Sequence, residues 1–147
     1  MNLKPFIPIK FRRRVFSQLW MLAVQFILGM LLNLIGGEAT GAKHTIYSIV
    51  LIIHILNAIG LVEGGIYIAL KERSRLSWWA TITLFVTFCS GILMVLTRQD
   101  VWSFAMACGF LASSWLHGML YIEADRRLYS TYSQPMRKNI KDSTKLK

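Results

Sequence analysis

Four stretches of this chain carry no charged side chain: residues 15–37, 44–62, 76–97 and 101–122. An α-helix needs roughly 20 predominantly apolar residues to cross a ~30 Å hydrocarbon core. Three of the stretches meet that length outright. The second meets it when Glu63 is accepted and the apolar run is followed to Leu70. In a soluble four-helix bundle the helices carry apolar stripes and charged outer faces. Here segments such as FILGMLLNLIG, YSIVLIIHIL and FVTFCSGILMVL are apolar all round. The expectation is an all-α, integral membrane four-helix bundle, with spans at about 15–36, 44–70, 76–97 and 101–123. These divide the chain into a basic N-terminal segment (1–14), a membrane domain (15–124) and a basic tail (125–147).

The net charge of +10 matters through its distribution. Fifteen of the seventeen Lys and Arg fall in the N-terminal segment, the second connection and the tail, and two in the first and third connections. The positive-inside rule then places both termini in the cytoplasm, and four spans agree with that parity. The connections GGEATGAKH, KERSR and TRQDV are short, which favours up-down-up-down order. Basic residues beside spans touch anionic inner-leaflet headgroups, so the excess charge points to lipid and not to nucleic acid. Trp78, Trp79 and Trp102 stand at span boundaries, where an amphipathic ring is favoured. The first apolar run exceeds a signal-peptide h-region and no A-x-A site follows, so it reads as a retained span. The polar tail from about Ser130 reads as irregular or lying on the inner leaflet. The expected location is a bacterial-type cytoplasmic membrane.

Polar side chains inside the spans are the candidates for chemistry, because such groups are costly in hydrocarbon and usually face a partner. Glu63 lies eight residues before Lys71, His117 eight before Asp125, and Gln25 eleven after Arg14. At 1.5 Å per residue the first two are each ~12 Å deep and Gln25 slightly deeper. Glu63, His117 and Gln25 are therefore expected to meet as an intramembrane polar cluster. There a neutral acid–imidazole pair would compete with a carboxylate–imidazolium pair, and the contact would serve either proton exchange or helix adhesion. Ser103, Ser113, Ser114, His117 and Tyr121 fall on one side of the fourth span. His54 and Asn33 share a level further out and form a second expected pair. Gly60 and Gly64 give a G-x-x-x-G spacing that suits close helix packing. Cys89 and Cys108 lie at matching depth across the third connection, and mid-membrane cysteines mostly act as small apolar packers.

His44, His54 and His117 are the available haem ligands. The fragment VQFILGMLLNLIGG, followed by KHTIYSIVLIIH, resembles one half of the haem A synthase family. The resemblance rests on apolar positions, one Gln, one Gly and a histidine. It implies ligands at the outer ends of helices two and four. His44 matches the first position, but the fourth helix has no histidine near its outer end. His54 and His117 differ in depth by roughly 13 Å, too far for the two axial positions of one haem. The chain is therefore not assigned to that family.

No P-loop, H-E-x-x-H or G-x-S-x-G motif occurs, which argues against an enzyme. Three readings follow. The first is an accessory or regulatory membrane subunit, acting as a homo-oligomer or on a larger membrane partner. The second is a proton-coupled small transporter or channel-like oligomer using Glu63 and His117. The third is a redox membrane protein binding haem b or quinone.

Overall fold

The computed structural model describes residues 7–36, 40–97 and 99–144, with side chains through Thr131. Four helices follow one another: α1 (Pro8–Ile35), α2 (Ala42–Glu72), α3 (Arg75–Thr97) and α4 (Asp100–Thr144). All four are long and apolar enough to cross a membrane. Their outward faces carry Leu34, Phe104, Leu111 and Trp115, each more than two thirds exposed. Apolar exposure on that scale does not suit water and fits an integral membrane protein.

The helices form a ring. Each packs against its sequence neighbours and α4 closes against α1, while among the described residues the backbones of the diagonal pairs α1/α3 and α2/α4 stay further apart. Two apolar clusters fill the interior. Phe11, Val15, Ile68, Ala80, Leu120 and Ala124 form one. Leu22, Leu61 and Leu84 form the other, with Met21 and Phe110 against it.

Helix α1 starts earlier than the charge pattern suggests. Pro8 opens it, as proline does well at a first turn that needs no N–H, and Phe11 and Val15 are buried. Arg12–Arg14 are therefore helical and not part of a separate tail. The link between α2 and α3 is only Arg73 and Ser74. Arg73 adopts the left-handed conformation (φ 52°) and its N–H reaches Ala69 O. Ser74 Oγ accepts from the Ser77 N–H, the pattern of an N-cap. Helix α4 runs without a break to Thr144, so the tail from Ser130 is helical and not disordered, while a place on the inner leaflet stays an expectation. Extending a helix already nucleated in the bundle costs little per residue.

One end of the ring is tied by charge. Arg127 on α4 donates to Glu72 Oε2 at the end of α2 (2.6 Å) and to Glu123 Oε1 one turn back (2.5 Å). The Glu72 side chain is 1% exposed. Arg127 thus links the diagonal helices α2 and α4, and its guanidinium also lies over Phe11 of α1. Arg12 pairs with Asp125 (3.0 Å) and donates to Tyr121 Oη (3.0 Å). Arg127→Ala removes the charged donor that spans both carboxylates. It should destabilise the fold by about 1–3 kcal/mol, less than a fully buried pair because Arg127 is partly solvated. Arg127→Lys should recover only part, since one ammonium lacks the planar fork. Thermal unfolding in mild detergent measures both.

Candidate functional site

Two groups of polar side chains lie within the spans, and the structure assigns them differently from depth counting. The first lies between α1 and α2. Asn57 Nδ2 donates to Gln25 Oε1 (2.7 Å) and to Met21 O (3.0 Å), using both amide hydrogens. Gln25 Nε2 lies 3.0 Å from His54 Nε2. The amide can only donate, so His54 carries its proton on Nδ1, a buried nitrogen with no protein partner. His54 is thus engaged by Gln25. Asn33, the partner expected for it, has an exposed side chain.

The second group forms a layer across the ring, between the two apolar clusters. On α1 it is Gln18, between Val15 and Leu22. On α2 it is Gly64 and Gly65, between Leu61 and Ile68. Thr81 lies between Ala80 and Leu84 on α3, and Ser113 and His117 between Phe110 and Leu120 on α4. Gln18, Ser113 and His117 are 5%, 0% and 1% exposed. Thr81 Oγ1 donates within this layer, to Gly65 O or Ser77 O (2.9 Å each). His117 Nδ1 lies 2.7 Å from Ser113 O. A carbonyl only accepts, so Nδ1 holds the proton and Nε2 presents a lone pair. No hydrogen bond reaches Nε2 among the described residues, and Gln18 Oε1 and Ser113 Oγ are also unpartnered. Two acceptors and one hydroxyl are left.

Gln18, Ser77, Thr81 and Gly65 were not among the candidates raised by sequence. Gln18 stands only four residues after Arg14 and so reads as interfacial, until the helix is seen to begin at Pro8. Gly64 offers a second signal: a methyl group built on it would collide with Gln18 Nε2, and one on Gly60 would press on Met21 Cε at 3.0 Å. These glycines seat α1 side chains against the α2 backbone.

The expected cluster of Glu63, His117 and Gln25 is not assembled. His117 faces the interior of α4. Gln25 binds α2 residues, and Glu63 is exposed on the outside of α2. Glu63 and His117 also stand on diagonal helices. Their depths match but their directions do not, because Glu63 lies 100° around the helix from Gly64. His44 is exposed at the start of α2. His54 and His117 belong to separate groups, with Leu22, Leu61 and Leu84 between the two levels. Cys89 and Cys108 are both free thiols. Among the described residues no three His, Cys, Asp or Glu side chains gather as a metal site.

Compared with protein-family models, curated proteins and solved structures, the chain has no match in any of the three.

Two substitution pairs separate these contacts from their surroundings. Gly64→Ala should cost about 1–3 kcal/mol by displacing Gln18. Gly118→Ala, where the new methyl meets open space, should change stability by no more than about 0.5 kcal/mol. Gln25→Leu should cost about 1–2 kcal/mol through the partners lost to His54 and Asn57, with Asn33→Leu near neutral. Denaturant unfolding in micelles gives all four values, and a Gln25/His54 double-mutant cycle isolates their coupling.

Proposed function

We propose that this chain is an accessory membrane subunit that works by assembling with another membrane-embedded polypeptide through the outer face of α2. One observation carries the reading: Glu63 is exposed at ~12 Å inside the inner boundary of the span. An ionisable group at that depth normally faces protein or a water-filled cavity. On this chain it faces neither, so the surface around it is one that another protein covers.

The proposal includes an up-down-up-down arrangement with both termini cytoplasmic in a bacterial-type cytoplasmic membrane. The charge bias supports the orientation. The contacts of Arg12 with Asp125 and of Arg127 with Glu72 support the arrangement, since they gather the start of α1, the end of α2 and the basic part of α4 at one end. The basic segments at that end then lie against anionic headgroups. A proton path using Glu63 and His117 together has less support, because one faces outward and the other sits in the interior of a diagonal helix. A haem or quinone reading has no feature of this geometry in its favour beyond the open Nε2 of His117.

Photo-crosslinking in native membranes tests the assembly. A photoreactive residue at Ile59 or Ile66, beside Glu63 on the exposed face, should give adducts with a polypeptide. The same probe at Leu111 or Trp115 of α4 should give mainly lipid adducts. If Ile59 and Ile66 also return lipid alone, the accessory reading fails.

A further inference from the structure

The outer face of α2 has a pattern that narrows the choice of partner. Ile49, Ile52, Leu56, Ile59, Glu63, Ile66 and Leu70 recur at alternating steps of three and four residues. All seven are exposed, the six apolar ones between 42% and 63%. Any outward helix face acquires such spacing, so the spacing alone does not distinguish α2. Two other features do. The seam is built only of Ile and Leu around one carboxyl. The corresponding faces of α1 and α4 instead mix aromatic, sulfur and small residues, as in Phe16, Trp20, Ala23 and Ile27, or Phe104, Cys108, Leu111 and Trp115. Glu63 also lies on the midline of the seam, since Ile59 and Ile66 flank it on one side and Leu56 and Tyr67 on the other. The seam runs 22 residues from Ile49 to Leu70, ~32 Å over the 21 rises of 1.5 Å between them, which matches the hydrocarbon thickness.

We propose that α2 is the interface of a parallel homodimer, two copies packing seam to seam about a two-fold axis along the membrane normal, with the two Glu63 carboxyls meeting at that axis. The inference rests on the accessory reading above and names the partner as a second copy of this chain. The seam matches itself. Steps of three and four give the 3.5-residue period by which two helices keep one face together, and a single polar residue among apolar ones sets the register. Because both copies carry the same charge bias, they insert in the same orientation, so a closed pair must be parallel. A two-fold axis then brings each seam residue opposite itself. One Glu63 in its acid form donates its O–H to the other, so the two share one proton and neither needs an outside donor. Two carboxylates at this contact would repel, whereas an acid and a carboxylate attract through that hydrogen bond. The other three helices of each copy lie away from the axis, so their packing is undisturbed.

The test uses the full chain with Cys89→Ala and Cys108→Ala, reconstituted in vesicles of mixed zwitterionic and anionic lipid. Single cysteines are placed at Leu56, Ile59, Ile66 and Leu70, at Val62 beside the seam, and at Leu111 on α4. Oxidation should link the seam positions into dimers at least about tenfold more efficiently than Leu111, with Val62 intermediate or low. In the same vesicles the wild-type chain should count as two copies per particle by single-molecule photobleaching. Glu63→Leu should weaken dimerisation about tenfold, the scale of one interhelical hydrogen bond in a membrane. Glu63→Gln should restore most of it, because two carboxamides also pair. Equal cross-linking at Leu111 and the seam, or single copies in the wild type, overturns the homodimer. Unchanged dimerisation in Glu63→Leu overturns the role given to the carboxyl. Adducts with a different polypeptide at Ile59 and Ile66 in native membranes, together with monomers in vesicles, overturn the homodimer and leave the accessory reading standing. Lipid adducts alone remove both.

Discussion

In hydrocarbon a polar group without a protein partner has no water to turn to, and this constraint accounts for where the polar side chains of this protein lie. The hydroxyls of α3 satisfy it locally. Thr83, Thr87, Ser90 and Thr97 each bond a carbonyl on the preceding turn of their own helix, so they are tolerated whichever way they face. Amides and imidazoles reach further and need a neighbouring helix. Gln25 and Asn57 meet that need between α1 and α2, and His54 meets it through Nε2 but not Nδ1. The layer of Gln18, Ser113 and His117 meets it only in part. Glu63 has no such partner among the described residues, which makes this residue, and not the buried histidine, the strongest pointer to what lies outside.

The same constraint explains why the ring is tied at its basic end. Along the described spans the backbones of α2 and α4 do not come close, and packing between neighbours holds the bundle. Beyond the hydrocarbon, long charged side chains can cross the gap. Arg127 does so by reaching Glu72 while holding Glu123 with its other nitrogen. Short side chains suffice where backbones come close. Gly64 admits Gln18, and Gly109 admits Thr87, whose backbone comes within 3.5 Å of the place a methyl group would take. The bundle therefore uses small residues inside the membrane and charged ones at its edge, as the medium requires in each place.

Span number and limits are legible in the sequence because they depend on composition along one dimension, and four charge-free windows supply that directly. Depth is legible for the same reason, so Glu63 and His117 do share a level by count. Direction around each helix is a second coordinate, and within an all-apolar segment the residues that would fix it are scarce. One stripe does fix it for α2. His54, Asn57, Gly60 and Gly64 follow at steps of three, three and four, and this is the side that receives Gln25, Met21 and Gln18. Glu63 lies off that stripe, so its outward direction was available from the glycines once they were taken as the α1 contact. The partner of His54 could not be found that way. Asn33 and Gln25 are eight residues apart on α1, separated by 80° of rotation, and only the packing of Met21 and Gln25 on α2 chooses between them.

His117 and Glu63 together show how differently one fold treats two ionisable groups at a similar depth. The His117 Nδ1–H is held by Ser113 O, and Gln18 Oε1 and Ser113 Oγ of the same layer have no hydrogen-bond partner among the described residues. The interior supplies dipoles there but no second charge, since Gln18, Gly64, Gly65, Thr81 and Ser113 are all uncharged. An ion entering that layer would have to leave water with no opposite charge to meet it. Glu63 is exposed beside Ile59, Ile66 and Tyr67, with Arg14 of α1 over the Tyr67 ring one turn away, and it makes no hydrogen bond or ion pair of its own among the described residues. The dimer proposed above would bring a carboxyl donor to that depth. The symmetry of a parallel pair does so with no residue beyond those the chain already has.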